Sequence, residues 1–298
     1  MVVYTLRRDD DGAIHFKWNA ALPPALKVPS GSEVTVQTRS GEDDQLRPDS
    51  SVADVDAIDM RRLHALSGPI FIEGAEPGDA LAVHILEVRV GDWGFTMQRP
   101  GAGFLLGYPT YLRTYDLRGG TARFGSLRIP LRPFLGVLGV APAEPGEHST
   151  IPPGRHGGNL DCRDLVAGST LFLPVFVPGA LFSCGDGHAA QGDGEVCVTA
   201  IECAVTARLR LEVLKAMRIA RPRAETPEAW MTLGAAPTFE EAARQALDDM
   251  LDLICERTEL SRADAYALAS VAVDIRVNQL VNRPMIGVRA VLRKRVLR

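Results

Sequence analysis

The stretch at residues 183–195 constrains the fold most, because it places four glycines, three carboxylates and one imidazole between two strand-like runs. Glycine allows a positive φ and a close approach of the backbone to a ligand. Aspartate, histidine and glutamate supply proton carriers or ligands for metal ions. The composition therefore predicts a functional site. The alternative interpretation is a turn-rich connection whose carboxylates cap backbone N–H groups.

A second glycine-rich cluster, His-Gly-Gly-Asn-Leu-Asp, occupies residues 156–161. Between the two clusters, residues 169–182 form an apolar run with the character of a buried strand. A strand pair that returns the chain would bring both polar clusters to one end of a sheet. We therefore expect the two clusters to form one composite site.

Length and charge exclude several classes of protein. The 298 residues carry a net charge of −4, which gives no electrostatic footprint for nucleic acid or for an anionic membrane. The first residues lack the segments of a signal peptide, and no window reaches the roughly 20 apolar residues of a membrane span, so we expect a cytoplasmic protein. Five cysteines without a Cys-x-x-Cys pair predict free thiols.

Short β-prone runs separated by turn signals predict a sandwich-like core over residues 1–220. Residues 33–38 are one such strand, and residues 69–90 give the clearest hairpin, with a turn at residues 76–79. On the return strand His84 points away from the apolar face, which favours a hydrogen-bonded structural histidine over a catalytic one. His64 precedes the hairpin in a loop from which its ring can turn over a cleft.

Residues 195–214 are predicted to form a long strand, because apolar side chains alternate with polar ones along it. Unbroken alternation would place Glu195 on the buried face and Glu202 on the opposite face. A carboxylate on an apolar face must be paired, protonated or bound to a metal ion. Glu202 is therefore interpreted as a solvated or salt-bridged residue of the sheet.

Two helices are predicted beyond residue 220. Thr238 and Glu241 form a capping box ahead of a helical apolar stripe at residues 243–254, and Ser261 precedes a second stripe that extends to Ile275. A final strand covers residues 286–292. The predicted fold is mainly β with α: a single α+β domain over residues 1–298, with a β-sandwich-like core and, within residues 221–298, a helical pair and a closing strand.

Several long segments of the sequence resemble the acetamidase/formamidase family of small-amide hydrolases. They cover most of the chain in the right order and lie at residues 67–79, 134–142, 156–161, 173–180 and 185–195. The resemblance implies hydrolysis of small aliphatic amides such as formamide or acetamide. It also places six polar residues within the family's motifs, namely Glu73, Asn159, Asp161, Asp186, His188 and Glu195.

Amide hydrolysis needs an activated nucleophile, a partner for the oxyanion and an acid, and one divalent metal ion with a carboxylate supplies all three. His64, Asp161 and His188 are the predicted metal ligands. Zinc is the first choice for this mixed set of donors, whereas a calcium or magnesium site could be built from Asp161, Asp186 and Glu195.

The predicted catalytic residues are Glu73, Glu195 and Asp186. Either glutamate could take the proton of the water and pass it to the departing nitrogen, and Asp186 would orient His188. His156 and Asn159 are candidates for contact with the substrate, although the glycine-flanked loop of His156 is equally consistent with exposure to solvent.

Two alternative functions stay open. Cys184 lies close to His188 in the sequence and could act as a thiol nucleophile, or it could simply behave as a small hydrophobic residue. The chain could also be a non-catalytic β-rich binding or assembly module. The expected partners are a small-molecule amide and further copies of the chain as a homo-oligomer, with no nucleic acid and no membrane.

Overall fold

The structure is a computed structural model that describes residues 3–297. The strands are β1 Val3–Leu6, β2 Ile14–His15, β3 Leu26–Pro29, β4 Ser32–Gln37, β5 Leu66–Glu73, β6 Ala80–Val90, β7 Trp93–Gln98, β8 Tyr111–Asp116, β9 Thr121–Phe124, β10 Leu127–Pro130, β11 Phe134–Gly139, β12 Gly157–Asn159, β13 Thr170–Pro174, β14 Phe182–His188, β15 Val205–Leu214, β16 Arg223–Glu225, β17 Ala229–Ala236, β18 Val273–Gln279 and β19 Ile286–Arg293. The α-helices are α1 Val52–Asp56, α2 Phe239–Arg257 and α3 Arg262–Ala272, and short 3-10 helices cover Met60–Arg62 and Lys294–Leu297.

Two large sheets enclose the main hydrophobic core. One sheet has nine strands in the order β1-β4-β15-β6-β13-β16-β17-β19-β18. The other has the order β12-β11-β14-β5-β2, and β3 pairs in parallel with β5. Val83 and Leu209 of the first sheet and Leu135 and Phe182 of the second belong to one buried cluster. The sandwich-like, mainly β fold with added helices is therefore confirmed.

The predicted hairpin at residues 69–90 is wrong in its pairing, although both strands exist. β5 pairs with β14 in the six-stranded sheet, whereas β6 pairs with β13 and β15 in the nine-stranded sheet. The intervening turn thus carries the chain from one sheet to the other, because both strands have apolar faces that cover the shared core. His84 is held as a structural histidine, with its ring nitrogens 3.0 Å from Thr170 Oγ1 and 3.1 Å from Glu212 Oε2.

The long strand predicted at residues 195–214 begins only at Val205. Glu195 and Val198 adopt positive φ angles of 45° and 81°, which an extended strand does not accommodate. The first ten residues of the predicted strand therefore form a loop. The inward and outward assignment of Glu195 and Glu202, which depended on unbroken alternation, no longer applies.

The helical region matches its sequence signals closely at the start and less closely at the end. Thr238 caps α2 by accepting a hydrogen bond from the Glu241 N–H at 3.2 Å, as predicted, and Ser261 caps α3. The second helix ends at Ala272 rather than beyond Ile275, because residues 273–279 pair as β18 with β19. Pairing of residues 273–279 with β19 thus outweighs the helical spacing of their apolar side chains. The closing strand β19 is confirmed, and the single-domain assignment stays a prediction.

Two further expectations concern the cysteines and the membrane. The five cysteines are free thiols, as expected. Among residues 3–297, no helix has both the length and the apolar character that a membrane span requires.

Candidate active site

The two glycine-rich clusters come together because they lie on β12 and β14, the two neighbours of β11. Val137 of β11 pairs with Asn159 on one side and with Gly185 on the other. Gly136, the preceding residue of β11, leaves the space in which the polar groups meet. A Cβ atom there would lie 2.7 Å from both Asp161 Oδ1 and Asp186 Oδ2.

Four buried carboxylates surround the His188 imidazole. Nε2 of His188 lies 3.1 Å from Glu202 Oε2, 3.3 Å from Asp186 Oδ2 and 3.8 Å from Glu195 Oε1. Its Nδ1 lies 4.0 Å from Asp161 Oδ1. A fifth buried carboxylate, Glu42, lines the same cavity. The expected composite site is therefore present.

Three of these acidic residues have backbone φ angles in the left-handed region. The φ angles are 43° at Asp161, 56° at Asp186 and 45° at Glu195. Non-glycine residues adopt such angles at a cost of about 1–3 kcal/mol each, and they concentrate at functional sites. The surrounding sheet thus holds the carboxylates in directions that relaxed strands would not give.

Gln191 fixes the orientation of the His188 ring. The side-chain Nε2 of Gln191 donates to the backbone oxygens of Asp161 at 2.9 Å and Asn278 at 3.3 Å, so its Oε1 must face His188 Nδ1, at 2.9 Å. His188 Nδ1 therefore donates to Gln191, and Nε2 faces the carboxylates. The edge-on contact with the Phe134 ring, 5.0 Å between centroids, holds the imidazole from the other side.

Burial and mutual repulsion shift the pKa values of the acidic groups. Burial, followed by the charges of neighbouring carboxylates, raises the pKa of Glu42 and Glu195 well above the ordinary range, that of Glu202 to about 7 and that of Asp161 to about 6. For Asp186 burial also opposes ionisation, but the charges of His188 and His64 outweigh it and lower the pKa. Each carboxyl group of the cluster thus has its own affinity for a proton.

The pKa of His188 responds to the same charges. Burial alone would lower it, but the charges of Glu202 and Asp186 outweigh the burial and raise it well above its usual value. Within residues 3–297, no lysine or arginine forms an ion pair with Glu42, Asp161, Asp186, Glu195 or Glu202. A buried concentration of negative charge of this kind needs protons or a bound cation.

The donor atoms of the cluster fit a metal ion. Ligand atoms of Asp161, Asp186 and His188 all lie within 4.8 Å of one another, and so do those of His188, Glu195 and Glu202. Asp161 Oδ1, Glu202 Oε2 and Glu42 Oε2 are buried and have no hydrogen-bond partner in the part of the chain that the structure describes. The cluster is therefore compatible with a metal site.

The cluster forms one wall of a cavity of about 140 Å³. A cavity of this size holds several waters or one small molecule. The lining also includes the apolar residues Met60, Leu63, Met97, Ala102, Ile151, Val198 and Val281, together with the polar residues Arg99, Thr199 and Asn282. The cavity thus combines polar groups that can act on a small ligand with apolar side chains that can pack against it.

Comparison with known proteins identifies the family of the chain. The family model "Acetamidase/Formamidase family" matches residues 4–149 and 145–297. The chain belongs to the acetamidase/formamidase family. It is 31% identical over 263 residues to a putative formamidase of Schizosaccharomyces pombe, covering 68% of this chain and 64% of that protein. With the acetamidase of Mycolicibacterium smegmatis it shares 32% identity over 255 residues, covering 63% of each chain.

The chain thus spans less than two thirds of the length of these curated relatives. The crystal structure of an acetamidase from Bacillus halodurans matches over nearly the whole length, with a TM-score of 0.91, 35% identity and 98% coverage of both chains. The similarity to that acetamidase extends over both sheets and the helices, and the family resemblance inferred from the motifs is confirmed.

The structure of this acetamidase/formamidase-family chain brings most of the predicted site residues together. Asp161, Asp186, His188 and Glu195 form the cluster, and Asn159 lines the cavity. His64 also lines the cavity, with its Nδ1 buried and unpartnered among the described residues, but it lies outside both groups of mutually close ligand atoms. Their roles stay predictions.

Glu73 and His156 are not brought to the cavity. Glu73 is exposed at the end of β5, whereas Leu66 at the other end pairs with Gly185 beside the cluster. Seven residue-to-residue steps along the strand separate Glu73 from Leu66, which is about 23 Å. His156 packs edge-on against Trp18, 5.1 Å between centroids, and burial lowers its pKa to about 4. His156 is therefore partly buried and lies outside the lining of this cavity, and its contact with substrate stays a prediction.

Two members of the cluster, Glu202 and Glu42, were not predicted as site residues from the sequence. Glu202 was assigned to the solvated face of a strand, but it is buried in the loop before β15, where its Oε1 accepts from the Ala200 N–H at 2.7 Å. Glu42 was not singled out from the sequence, and it lies next to Asp43, which pairs with Arg39 at 2.8 Å. The only nearby sequence feature that fits this position of Glu42 is the preceding glycine, Gly41. The structure shows why a glycine is needed there, because a Cβ atom would collide with Asp186 Oδ1.

Cys184 does not join the site. It is fully buried in the hydrophobic core between the sheets, and burial raises the pKa of its thiol to about 12. A thiol with so high a pKa supplies almost no thiolate at neutral pH. The structure therefore favours the interpretation of Cys184 as a small hydrophobic residue.

Proposed function

We propose that the chain hydrolyses the C–N bond of short aliphatic amides, such as formamide and acetamide, to a carboxylate and ammonia. The observation that carries this proposal is the cluster of five buried carboxylates around His188 in a cavity of about 140 Å³. The formamidase and acetamidase names of the relatives support the reaction type. The small cavity supports a substrate with few non-hydrogen atoms.

We propose that His188, Asp186 and Glu202 hold a divalent metal ion, with Asp161 as a further oxygen donor. One nitrogen donor among carboxylate oxygens is a set that zinc accepts, and its oxygen-rich part also suits magnesium or calcium. The ion would supply a Lewis acid for the amide carbonyl and a water with a lowered pKa. His64 stays a candidate ligand because it faces the same cavity.

The residues of the chain have separate tasks in this mechanism. Gln191 holds the His188 ring so that Nε2 faces the carboxylates. Glu195 takes a proton from the attacking water and gives it to the nitrogen when the C–N bond breaks, since its carboxyl group lines the cavity and no strong ion pair holds it. The apolar wall limits the length of the acyl group and keeps bulk water from the reacting atoms.

Ammonia release from formamide, acetamide and propionamide tests the proposal, together with metal analysis of the purified protein. Glu195→Gln should lower kcat at least 100-fold with the metal retained. Glu73→Gln is the matched control, because it makes the same chemical change at an exposed position away from the cavity, and it should keep wild-type turnover. Background ammonia release with all three amides would instead support a non-catalytic binding module.

Exposed apolar residues support a second proposal, which is assembly of the chain into a homo-oligomer. We expect a homo-oligomer, because the run Phe104–Leu106 exposes 48%, 63% and 71% of its three apolar residues. Sedimentation of the purified protein measures the number of subunits, and a monomer at all concentrations would contradict this expectation. Cytoplasmic localisation stays a prediction.

A further inference from the structure

Asn159, one of the residues that line the candidate active-site cavity, has an unpaired polar atom. The residue ends β12, where backbone pairing with Val137 fixes its position, and it is only 3% exposed. Its side-chain Nδ2 donates to the backbone oxygen of Ile151 at 3.1 Å. Its Oδ1 is buried and has no hydrogen-bond partner within residues 3–297.

The hydrogen bond to Ile151 decides which end of the Asn159 amide is left without a partner. Rotating the Asn159 side chain by 180° would place its oxygen against the Ile151 oxygen, so two acceptors would meet. The group that remains for a ligand is therefore an acceptor with no donor of its own. A buried acceptor of this kind is strongly selective, because a ligand without a donor leaves it unpaired.

We propose that Asn159 Oδ1 accepts a hydrogen bond from the N–H of the substrate and thereby restricts the site to amides that retain an N–H. This inference rests on the proposed amide hydrolysis and specifies its substrate class. Acetamide has two N–H donors, whereas an ester of similar shape has none. Asn159 is thus a specificity-determining residue, distinct from the carboxylates that act on the water.

The same contact orients the nitrogen for its departure. Water adds to the carbonyl carbon, the C–N bond breaks, and the nitrogen leaves as ammonia after receiving a proton. When Asn159 Oδ1 holds one N–H, the lone pair that forms on nitrogen points away from Asn159 and can accept this proton. Glu195, which lines the same cavity, is the group that carries it.

A comparison of two ligands tests the inference on the wild-type protein. N-methylacetamide and methyl acetate have almost the same shape, but only the amide has an N–H. As competitors of acetamide hydrolysis, N-methylacetamide should bind at least tenfold more tightly than methyl acetate. Equal inhibition by the two ligands would overturn the inference, because it would show that the site does not recognise the N–H.

A substitution gives the second measurement. Asn159→Leu keeps the approximate volume but removes the acceptor, so kcat/KM for acetamide should fall about 10- to 100-fold while the inhibition constant of methyl acetate changes less than threefold. Val281→Ala, in the apolar wall of the same cavity, is the control and should affect both ligands alike. Parallel changes in Asn159→Leu, or a loss of metal content, would refute recognition of the N–H.

Failure of this inference is distinguishable from failure of the proposed function. If the wild-type protein releases no ammonia from any amide, the hydrolysis proposal fails, and binding of acetamide is then measured by ligand-observed NMR. Weaker binding of acetamide to a folded Asn159→Leu variant, checked by circular dichroism, would still support the contact. Equal binding to both proteins, or binding to neither, would overturn it.

Discussion

Gly136→Ala is the sharpest test of how the active site is built, because this glycine touches the cluster without contributing any chemical group. An alanine Cβ at this position would lie 2.7 Å from Asp161 Oδ1 and Asp186 Oδ2 and 2.8 Å from His188 Cε1. All three neighbours are buried, and none is the far end of a flexible exposed side chain. The substitution therefore forces the cluster itself to move.

The size of the movement sets the size of the effect. Ordinary contact with a Cβ atom begins at 3.4 Å, so the methyl group and the two oxygens must separate by about 0.7 Å. Displacement of reacting groups by about 1 Å can cost roughly 100-fold in rate, which predicts a loss of about 10- to 100-fold in kcat/KM here. Overpacking of the interior should also lower the free energy of unfolding by about 1–3 kcal/mol.

The assay compares ammonia release, metal content and urea denaturation of the wild-type protein, Gly136→Ala and Gly192→Ala. Gly192 lies in the glycine-rich stretch at residues 183–195, but a Cβ atom there meets nothing within 4 Å and its φ is not in the left-handed region. Gly192→Ala should therefore retain wild-type activity and stability. Full activity and full metal content in Gly136→Ala would refute the reasoning, because the carboxylates would then not converge on the space above this glycine.

Three further predictions follow from the same contacts. Asp161→Ala and His188→Ala should lower metal content and turnover together, as measured by elemental analysis and ammonia release, and wild-type values of both in His188→Ala would contradict the proposed ligands. Cys184→Ser should remain active. Its free energy of unfolding should be lower by about 1–3 kcal/mol, because a hydroxyl enters the core. A folded, metal-loaded but inactive protein would support the thiol mechanism. Burial lowers the pKa of His15 from 6.5 to about 4, so the unfolded chain binds the proton more readily and stability should fall by about 3 kcal/mol as the pH decreases from about 6.5 to 4. Urea denaturation across this range should show a flatter dependence on pH in His15→Gln.

The sequence predicted the features whose signals are local. The cap at Thr238 depends on two residues three positions apart, and the structure contains it. The composition of the glycine-rich stretch at residues 183–195 likewise predicted a functional site. In both cases neighbouring residues carry the signal, although segments distant in the sequence are needed to complete the site.

Features that depend on distant partners were predicted less well. The alternation along β6 gave the correct buried face but could not show that β13 and β15 are its neighbours, so β5 was assigned as its partner. Glu202 was assigned to solvent because the pattern presumed a regular strand, and the positive φ of Val198 breaks that strand. Glu42 has an ordinary local context, and only the fold brings it to the cavity.

The arrangement of the cluster also explains why it is built from several separate segments. Five buried carboxylates repel one another, and three of the cluster's residues have strained backbone angles, so a single loop could not hold them at this spacing. Asp186 is instead held by β14 on one side of β11, Asp161 by the segment that follows β12 on the other side, and Glu202 by the loop that leads into the opposite sheet. Packing between the sheets thus offsets the cost of bringing the charges together. The proposed amide hydrolysis depends on this closeness, since the groups proposed to activate water and protonate the nitrogen must reach the same small substrate.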